Sequence, residues 1–281
     1  MKHLKYIIIV AAVATLWIAC DRDDLPDRGE KLILASQMAV PAIKSTADNT
    51  WNGDEQVFVS INNETARIFT VDPGGMLTPA SDIWWQSSTQ TISARAWYPN
   101  SALWSFPADQ SSGIQAADFL FAPVISGIRY NNCMANPLSF YHLPVKVIVN
   151  LIPGTDISSV SGASVSFYGY LSGTVDTDNG TITGSNTDMG WIAPFRTAGA
   201  DTYSALLISC DMTGVKFIKV TLDGYDYYYT PAVGEAVLEQ GNTYTYNINV
   251  SKTRLTVTVV DNGATWDNSG IEDTVTADPV E

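Results

Sequence analysis

The sequence predicts an all-β protein organised as two β-sandwich domains in tandem. No window sustains apolar residues at i, i+3 and i+4 without a Gly, a Pro or a β-branched run interrupting it. Short alternating apolar runs recur instead between turn residues, and the series restarts after Pro153-Gly154. The 13 Tyr, 8 Trp and 9 Phe, with abundant Thr, Ser and Val, favour pleated, half-buried surfaces over helices.

The chain opens with Lys2, His3 and Lys5, then an apolar run over residues 6–19 broken only by Thr15. That run is shorter than the ~20 apolar residues a membrane-spanning helix takes, and it has the proportions of a secretory signal. Leu16-Trp17-Ile18-Ala19-Cys20 resembles a bacterial lipobox, followed by the acidic run Asp21-Arg22-Asp23-Asp24. The resemblance implies a signal peptide over residues 1–19, cleavage after Ala19, and lipidation of Cys20 through its sulfur and new amino terminus. Several acyl chains anchor firmly, at about 0.8 kcal/mol per buried CH₂. An ordinary signal peptide with Cys20 incidental is the competing reading. The acidic run is similar to the surface-export signals of Bacteroidota lipoproteins.

Strands then follow in order. Residues 57–61 and 66–71 are separated from the next element by Asp72-Pro73-Gly74-Gly75, where Pro fixes φ and Gly permits positive φ. Trp84-Trp85, residues 91–98, 119–125 and 141–152 complete the first series. The second comprises residues 164–171, 180–184, 191–195, 203–209, 217–222, 225–230, 243–250 and 255–260. Asp223-Gly224 between alternating runs predicts a tight hairpin. No short repeat points to a solenoid or propeller.

Fifteen Lys+Arg against 29 Asp+Glu give a net charge of −14, which leaves no basic surface for nucleic acid. With 2 His in the chain, one of them His3, a multi-His metal site or relay is excluded. His142 heads an apolar strand and reads as a packed structural residue. The GxSxG, HExxH, Walker and CxxC patterns are missing, so the sequence predicts no enzyme, no cofactor and no metal. Asp176-Thr177-Asp178-Asn179-Gly180 resembles half a calcium loop, yet Thr187 stands where the bidentate Glu belongs, and a hairpin turn accounts for the same residues. Cys133 and Cys210 read as small buried residues rather than a bridge. Tyr225, Tyr227 and Tyr229 line one sheet face, as core or as a stacking stripe for sugars.

Several blocks, each weak alone and all in order, resemble the Bacteroidota fimbrillin family of lipoprotein-derived pilins. They include Trp51-Asn52-Gly53-Asp54-Glu55-Gln56-Val57, Gly75-Met76-Leu77-Thr78-Pro79, Ala94-Arg95-Ala96-Trp97-Tyr98-Pro99 and Asp118-Phe119-Leu120-Phe121-Ala122. Phe140-Tyr141-His142, Lys216-Phe217-Ile218-Lys219-Val220, and Gly241-Asn242-Thr243-Tyr244-Thr245-Tyr246 continue the series. The resemblance implies two transthyretin-like sandwiches and no catalysis. It implies residues 20–50 as linker, removable first strand and processing site, 51–155 and 156–270 as the two domains, and 271–281 as an acidic tail.

The same resemblance implies assembly by donor-strand complementation with other pilin subunits, at the outer membrane, the cell surface and the fimbrium. The removable strand is Lys31-Leu32-Ile33-Leu34-Ala35-Ser36, with Leu32, Ile33, Leu34 and Ala35 at its centre, and the bond cut is Lys44-Ser45. The family presents Arg at that bond; the Lys here also suits an anchor subunit that keeps its lipid. The donor is either the run over residues 255–259 or the tail, whose apolar Ile271, Val275 and Ala277 stand an even number of residues apart and match one strand face. The alternative is a non-polymerising cell-surface lipoprotein that binds a host glycan or protein and exposes Trp or Tyr on an open face.

Overall fold

The computed structural model describes residues 29–39, 51–99, 106–265 and 273–277. The protein is nearly all β, with 51% of its residues in strands and 3% in helical turns, which settles the fold class. The only helical segments among the described residues are single 3₁₀ turns at Gln115–Ala117 and Tyr130–Asn132. Two compact units divide the chain.

Of the described residues, the first unit draws on 29–39, 51–99 and 122–140. Its strands are β1 (Leu34–Met38), β2 (Gln56–Ile61), β3 (Arg67–Val71), β4 (Met76–Pro79), β5 (Ile92–Tyr98), β6 (Leu120–Ile128) and β7 (Leu138–His142). They close into a barrel in the order β1-β4-β3-β2-β5-β6-β7. Alternation explains the core: Val57 and Val59 of β2, Phe69 and Val71 of β3, and Ala94 and Ala96 of β5 are all buried. The Trp84-Trp85 pair, expected as a strand, makes only an isolated antiparallel bridge from Trp84 to Lys31. Trp85 is buried and Trp84 exposed, so the two indoles point to different environments.

Of the described residues, the second unit takes 106–121, 141–265 and 273–277. Its division from the first differs from the expected break at 155/156. Residues 141–152, read as one strand, are two: β7 ends at His142, and β8 (Val145–Pro153) starts after Pro144. Proline has no N–H to give a ladder, and the break lies there. The second unit then contains β9 (Ser164–Tyr170), β10 (Gly173–Asp176), β11 (Thr181–Gly184), β12 (Met189–Ile192), β13 (Phe195–Arg196), β14 (Thr202–Leu207) and β15 (Cys210–Asp211). It ends with β16 (Ile218–Leu222), β17 (Tyr225–Tyr229), β18 (Val237–Leu238), β19 (Asn242–Val250), β20 (Leu255–Thr265) and β21 (Asp273–Ala277).

Strand β8 belongs to the second unit because both its edges pair there, antiparallel to β14 and parallel to β19. A six-stranded sheet, β13-β14-β8-β19-β20-β21, faces a four-stranded one, β12-β9-β16-β17. Phe217 and Tyr229 meet Tyr246 between them at centroid distances of 5.9 and 5.8 Å, the edge-on and tilted contacts that aromatic quadrupoles favour. Burial pushes the Tyr246 phenol well above its ordinary pKa.

Buried Gln110 fastens the segment before β6 to this unit. Its Nε2 donates to the Leu206 carbonyl at 2.9 Å and its Oε1 accepts from the Leu206 N–H at 2.8 Å. The two hairpins expected from sequence are present. Asp223 (φ 52°) and Gly224 (φ 84°) turn β16 into β17, and Asp176 Oδ1 accepts from the Asp178 N–H at 2.8 Å between β10 and β11.

Candidate functional site

The predicted removable segment occupies a slot in the first unit. The regular strand starts at Leu34, three residues later than expected, but residues 30–32 already pair with the chain beside them. The Leu32 N–H donates to the Ile83 carbonyl at 2.8 Å, and the Trp85 N–H donates to the Glu30 carbonyl at 3.0 Å. Strand β1 then runs antiparallel to β4 (Leu34↔Leu77, Ala35↔Met76) and parallel to β7 (Ser36↔Leu138, Gln37↔Ser139, Met38↔Phe140). Both flanks are used, so the segment closes the barrel.

Its side chains divide as a strand on a core must. Leu32 and Leu34 are 2% and 1% exposed, Ile33 is half-buried, and Ala35 and Ser36 are buried. The Ser36 N–H and its Oγ–H both donate to the Gly75 carbonyl, at 2.7 and 2.8 Å. Gly75 has φ +83°, and a Cβ there would lie 2.3 Å from the Ser36 carbonyl oxygen. The glycine of the Asp72-Pro73-Gly74-Gly75 turn therefore serves the slot as well as the turn. At the other end the Ala39 N–H donates to Phe140 O at 2.7 Å, and Gln37 Nε2 donates to Ser139 Oγ at 2.9 Å. An ion pair of 2.6 Å, Lys31 to Asp82, lies on the outside and contributes little in water.

Beyond Ala39 the chain is next described at Trp51, which packs edge-on against Phe140 at a centroid distance of 5.2 Å. Cys20, Lys44, Ser45 and Ile271 lie outside the described residues. Val275 and Ala277 fall in β21, which pairs antiparallel with β20 (Val257↔Val275, Leu255↔Ala277) as the last strand of its sheet. The other stretch weighed as a donor, residues 255–259, is an integral strand: β20 pairs along its length with β19.

The remaining sequence candidates are structural in their contacts. His142 Nδ1 lies 2.9 and 3.1 Å from the two carboxylate oxygens of Asp118, beside the Leu120↔His142 pair where β6 meets β7. Cys133, whose Sγ–H donates to the Tyr130 carbonyl at 3.2 Å, and Cys210 lie in different units and form no bridge with each other. Burial, with Asp211 nearby, pushes the Cys210 thiol up to about 12. Among the described residues no three His, Cys, Asp or Glu side chains converge on a metal position. Tyr227 and Tyr229 are core residues, whereas Tyr225 is exposed. Among the described residues Trp51, Trp85 and Trp97 are buried, whereas Trp84 and Trp191 are 45% and 36% exposed.

The chain is thus all-β, and its N-terminal segment closes the barrel of the first unit by pairing on both edges. The family model described as fimbrillin-like matches residues 37–266, most of the chain, and the protein belongs to that family. Similar solved structures include a candidate cell adhesion protein of Bacteroides ovatus, with 17% identity, TM-score 0.63, and coverage of 88% of this chain and 99% of that one. A second, from Bacteroides uniformis, has 18% identity and TM-score 0.61 over 79% of this chain and 93% of its own. A third, from Bacteroides thetaiotaomicron, has 17% identity and TM-score 0.51 over the same shares, 79% and 93%. At these identities the likeness is one of fold. No curated protein matches the chain.

Proposed function

We propose that the protein is a surface-exported lipoprotein subunit of a fimbrium, structural or accessory, that assembles by donor-strand complementation and supports adhesion. The observation that carries this reading is the seating of residues 30–38. The segment satisfies backbone groups of β4, β7 and residues 83–85, and buries Leu32 and Leu34 in the core. Its departure would leave a row of unpaired N–H and C=O groups beside an apolar trench. An extended segment from another copy restores both kinds of contact in one step.

In this reading lipid on Cys20 holds the precursor at the outer membrane, and a trypsin-like protease cuts at Lys44-Ser45 and releases residues 20–44. The tail strand carrying Val275 and Ala277 is the donor. It is the terminal strand of its sheet, so it can leave without opening the sandwich, whereas β20 has partners on both sides. Other subunits of the same fimbrium are its partners, and a host protein or glycan is its adhesion target.

Trypsin treatment of the purified precursor, followed by N-terminal sequencing and electrophoresis in SDS, tests the proposal. The expected result is a new terminus at Ser45 and SDS-resistant ladders, with no ladder from a chain lacking residues 271–281. Ladders from that truncated chain would reject the tail as donor. Clean cleavage at Lys44 that leaves only monomer would reject polymerisation and favour an anchor or a separate adhesin.

A further inference from the structure

The first unit has a cavity of about 210 Å³ whose lining is unusual for a packing defect. Its apolar surface comes from buried Leu32, Val59 and Ile92 and half-buried Ile61 and Ile83, while Trp84 forms part of the wall and is nearly half exposed. Around these stand Asn62, Glu64, Arg67 and Gln90. Among the described residues the Glu64 carboxylate and the Arg67 guanidinium make no hydrogen bond or ion pair, with each other or with anything else. Opposite charges that share a cavity and remain unpaired are available to a third group.

The polar rim is held in place by the backbone. Asn62 and Asn63 turn the chain at φ 51° and 60°, and Asn62 Oδ1 accepts from the Ser93 N–H at 2.9 Å. Gln90 Oε1 accepts from the Gln86 N–H at 2.6 Å, and Gln86 Nε2 donates to the Trp84 carbonyl at 3.1 Å. In both Asn62 and Gln90 the oxygen is engaged and the NH₂ group is left as a donor. At Asn62 and Gln90 a ligand therefore meets fixed donors, while the Glu64 and Arg67 side chains are ordered by binding.

We propose that this cavity binds one neutral pyranose ring of a saccharide. The carboxylate of Glu64 accepts from two hydroxyls, and Arg67, Asn62 and Gln90 donate to hydroxyl oxygens. The indole of Trp84 takes the apolar C–H face of the ring. Glu64 disfavours an anionic ligand, and a single carboxylate beside an arginine disfavours a cation. Drug-sized ligands occupy pockets of ~300–1,000 Å³, so the smaller volume here suits a single ring. Leu32, from the segment discussed above, is part of the lining, so the site belongs to the uncleaved chain, which is the form to test. The inference does not depend on strand exchange occurring.

The test titrates the uncleaved protein with methyl glucoside, methyl galactoside, methyl mannoside and N-acetylglucosamine, by saturation-transfer NMR and calorimetry. At least one should bind with a Kd on the order of millimolar, the range expected for a single ring with few contacts. Trp84→Ala should weaken it at least tenfold and Glu64→Gln severalfold, while Trp191→Ala, on the second unit, leaves it unchanged. All three positions are solvent-exposed, so thermal midpoints should stay near that of the parent protein and confirm folding. Absence of binding by all four sugars would overturn the proposal. Binding that survives both Trp84→Ala and Glu64→Gln, or that is lost in Trp191→Ala, would overturn it equally.

Discussion

Replacing Gly75 by Ala puts the strain directly on the seat of β1. At φ +83° an L-residue costs about 1–2 kcal/mol relative to glycine. The added Cβ would also stand 2.3 Å from the Ser36 carbonyl oxygen, a backbone atom that cannot rotate away. The strand has to shift, and the two Ser36 hydrogen bonds to the Gly75 carbonyl stretch or break, at roughly 0.5–1.5 kcal/mol each. Together these predict a loss of roughly 2–5 kcal/mol from the first unit. Gly74→Ala is the matched control: its φ is ordinary, and its Cβ would meet only the Asp72 carboxylate, at 3.3 Å. Urea unfolding followed by tryptophan fluorescence gives the stabilities, and hydrogen exchange at the Ser36 amide reports the seating of β1. If Gly75→Ala matches Gly74→Ala in both measurements, the account of the slot is wrong.

Three further outcomes follow from the same structure and the proposed lipidation. Cys20→Ser should move the protein from the membrane to the soluble fraction, and equal partition of variant and parent would refute lipid anchoring. Burial raises the Glu55 pKa, but the Asn52 and Gly53 N–H groups outweigh it and hold the carboxyl below its ordinary value. A depressed folded pKa contributes stability that is complete above the unfolded value and lost as pH falls through the folded one. Glu55→Gln should therefore flatten the acid limb of the first unit's stability profile, and an unchanged limb would count against it. Cys210, with its thiol pushed up to about 12, should react slowly with a disulfide reagent at pH 8 until denaturant is added.

Much of the fold was legible because local rules decide it. The period-2 alternation of residues 57–59 and 145–149 places every second side chain in a core, and Asp223-Gly224 adopts the two positive φ values that its residue types favour. The errors lie where partners distant in sequence decide. Trp84-Trp85 has strand propensity, yet its neighbour is residues 30–31, and the contact is too short for a ladder. Residues 141–152 look continuous in hydropathy, while Pro144 separates a strand of the barrel from a strand paired with β14 and β19.

The candidate site was half legible. The apolar run at Leu32 and Leu34 marks a buried segment, but its parallel pairing with β7 spans about a hundred residues and leaves no local trace. Gly75 reads as a turn glycine, and nothing near it in sequence announces Ser36. Cavity residues such as Glu64 and Arg67 look like ordinary surface charge until the fold shows that they stand unpaired beside Trp84.

The claim that residues 30–38 form an exchangeable strand is tested most directly by hydrogen exchange over residues 76–78 and 138–140. These two segments hold β1 in the intact chain. Those of their amides that face β1 should be protected in the precursor, lose protection in monomer cut at Lys44 and stripped of residues 20–44, and regain it in the polymer. Protection that persists in stripped monomer, or that never returns on polymerisation, would contradict the account.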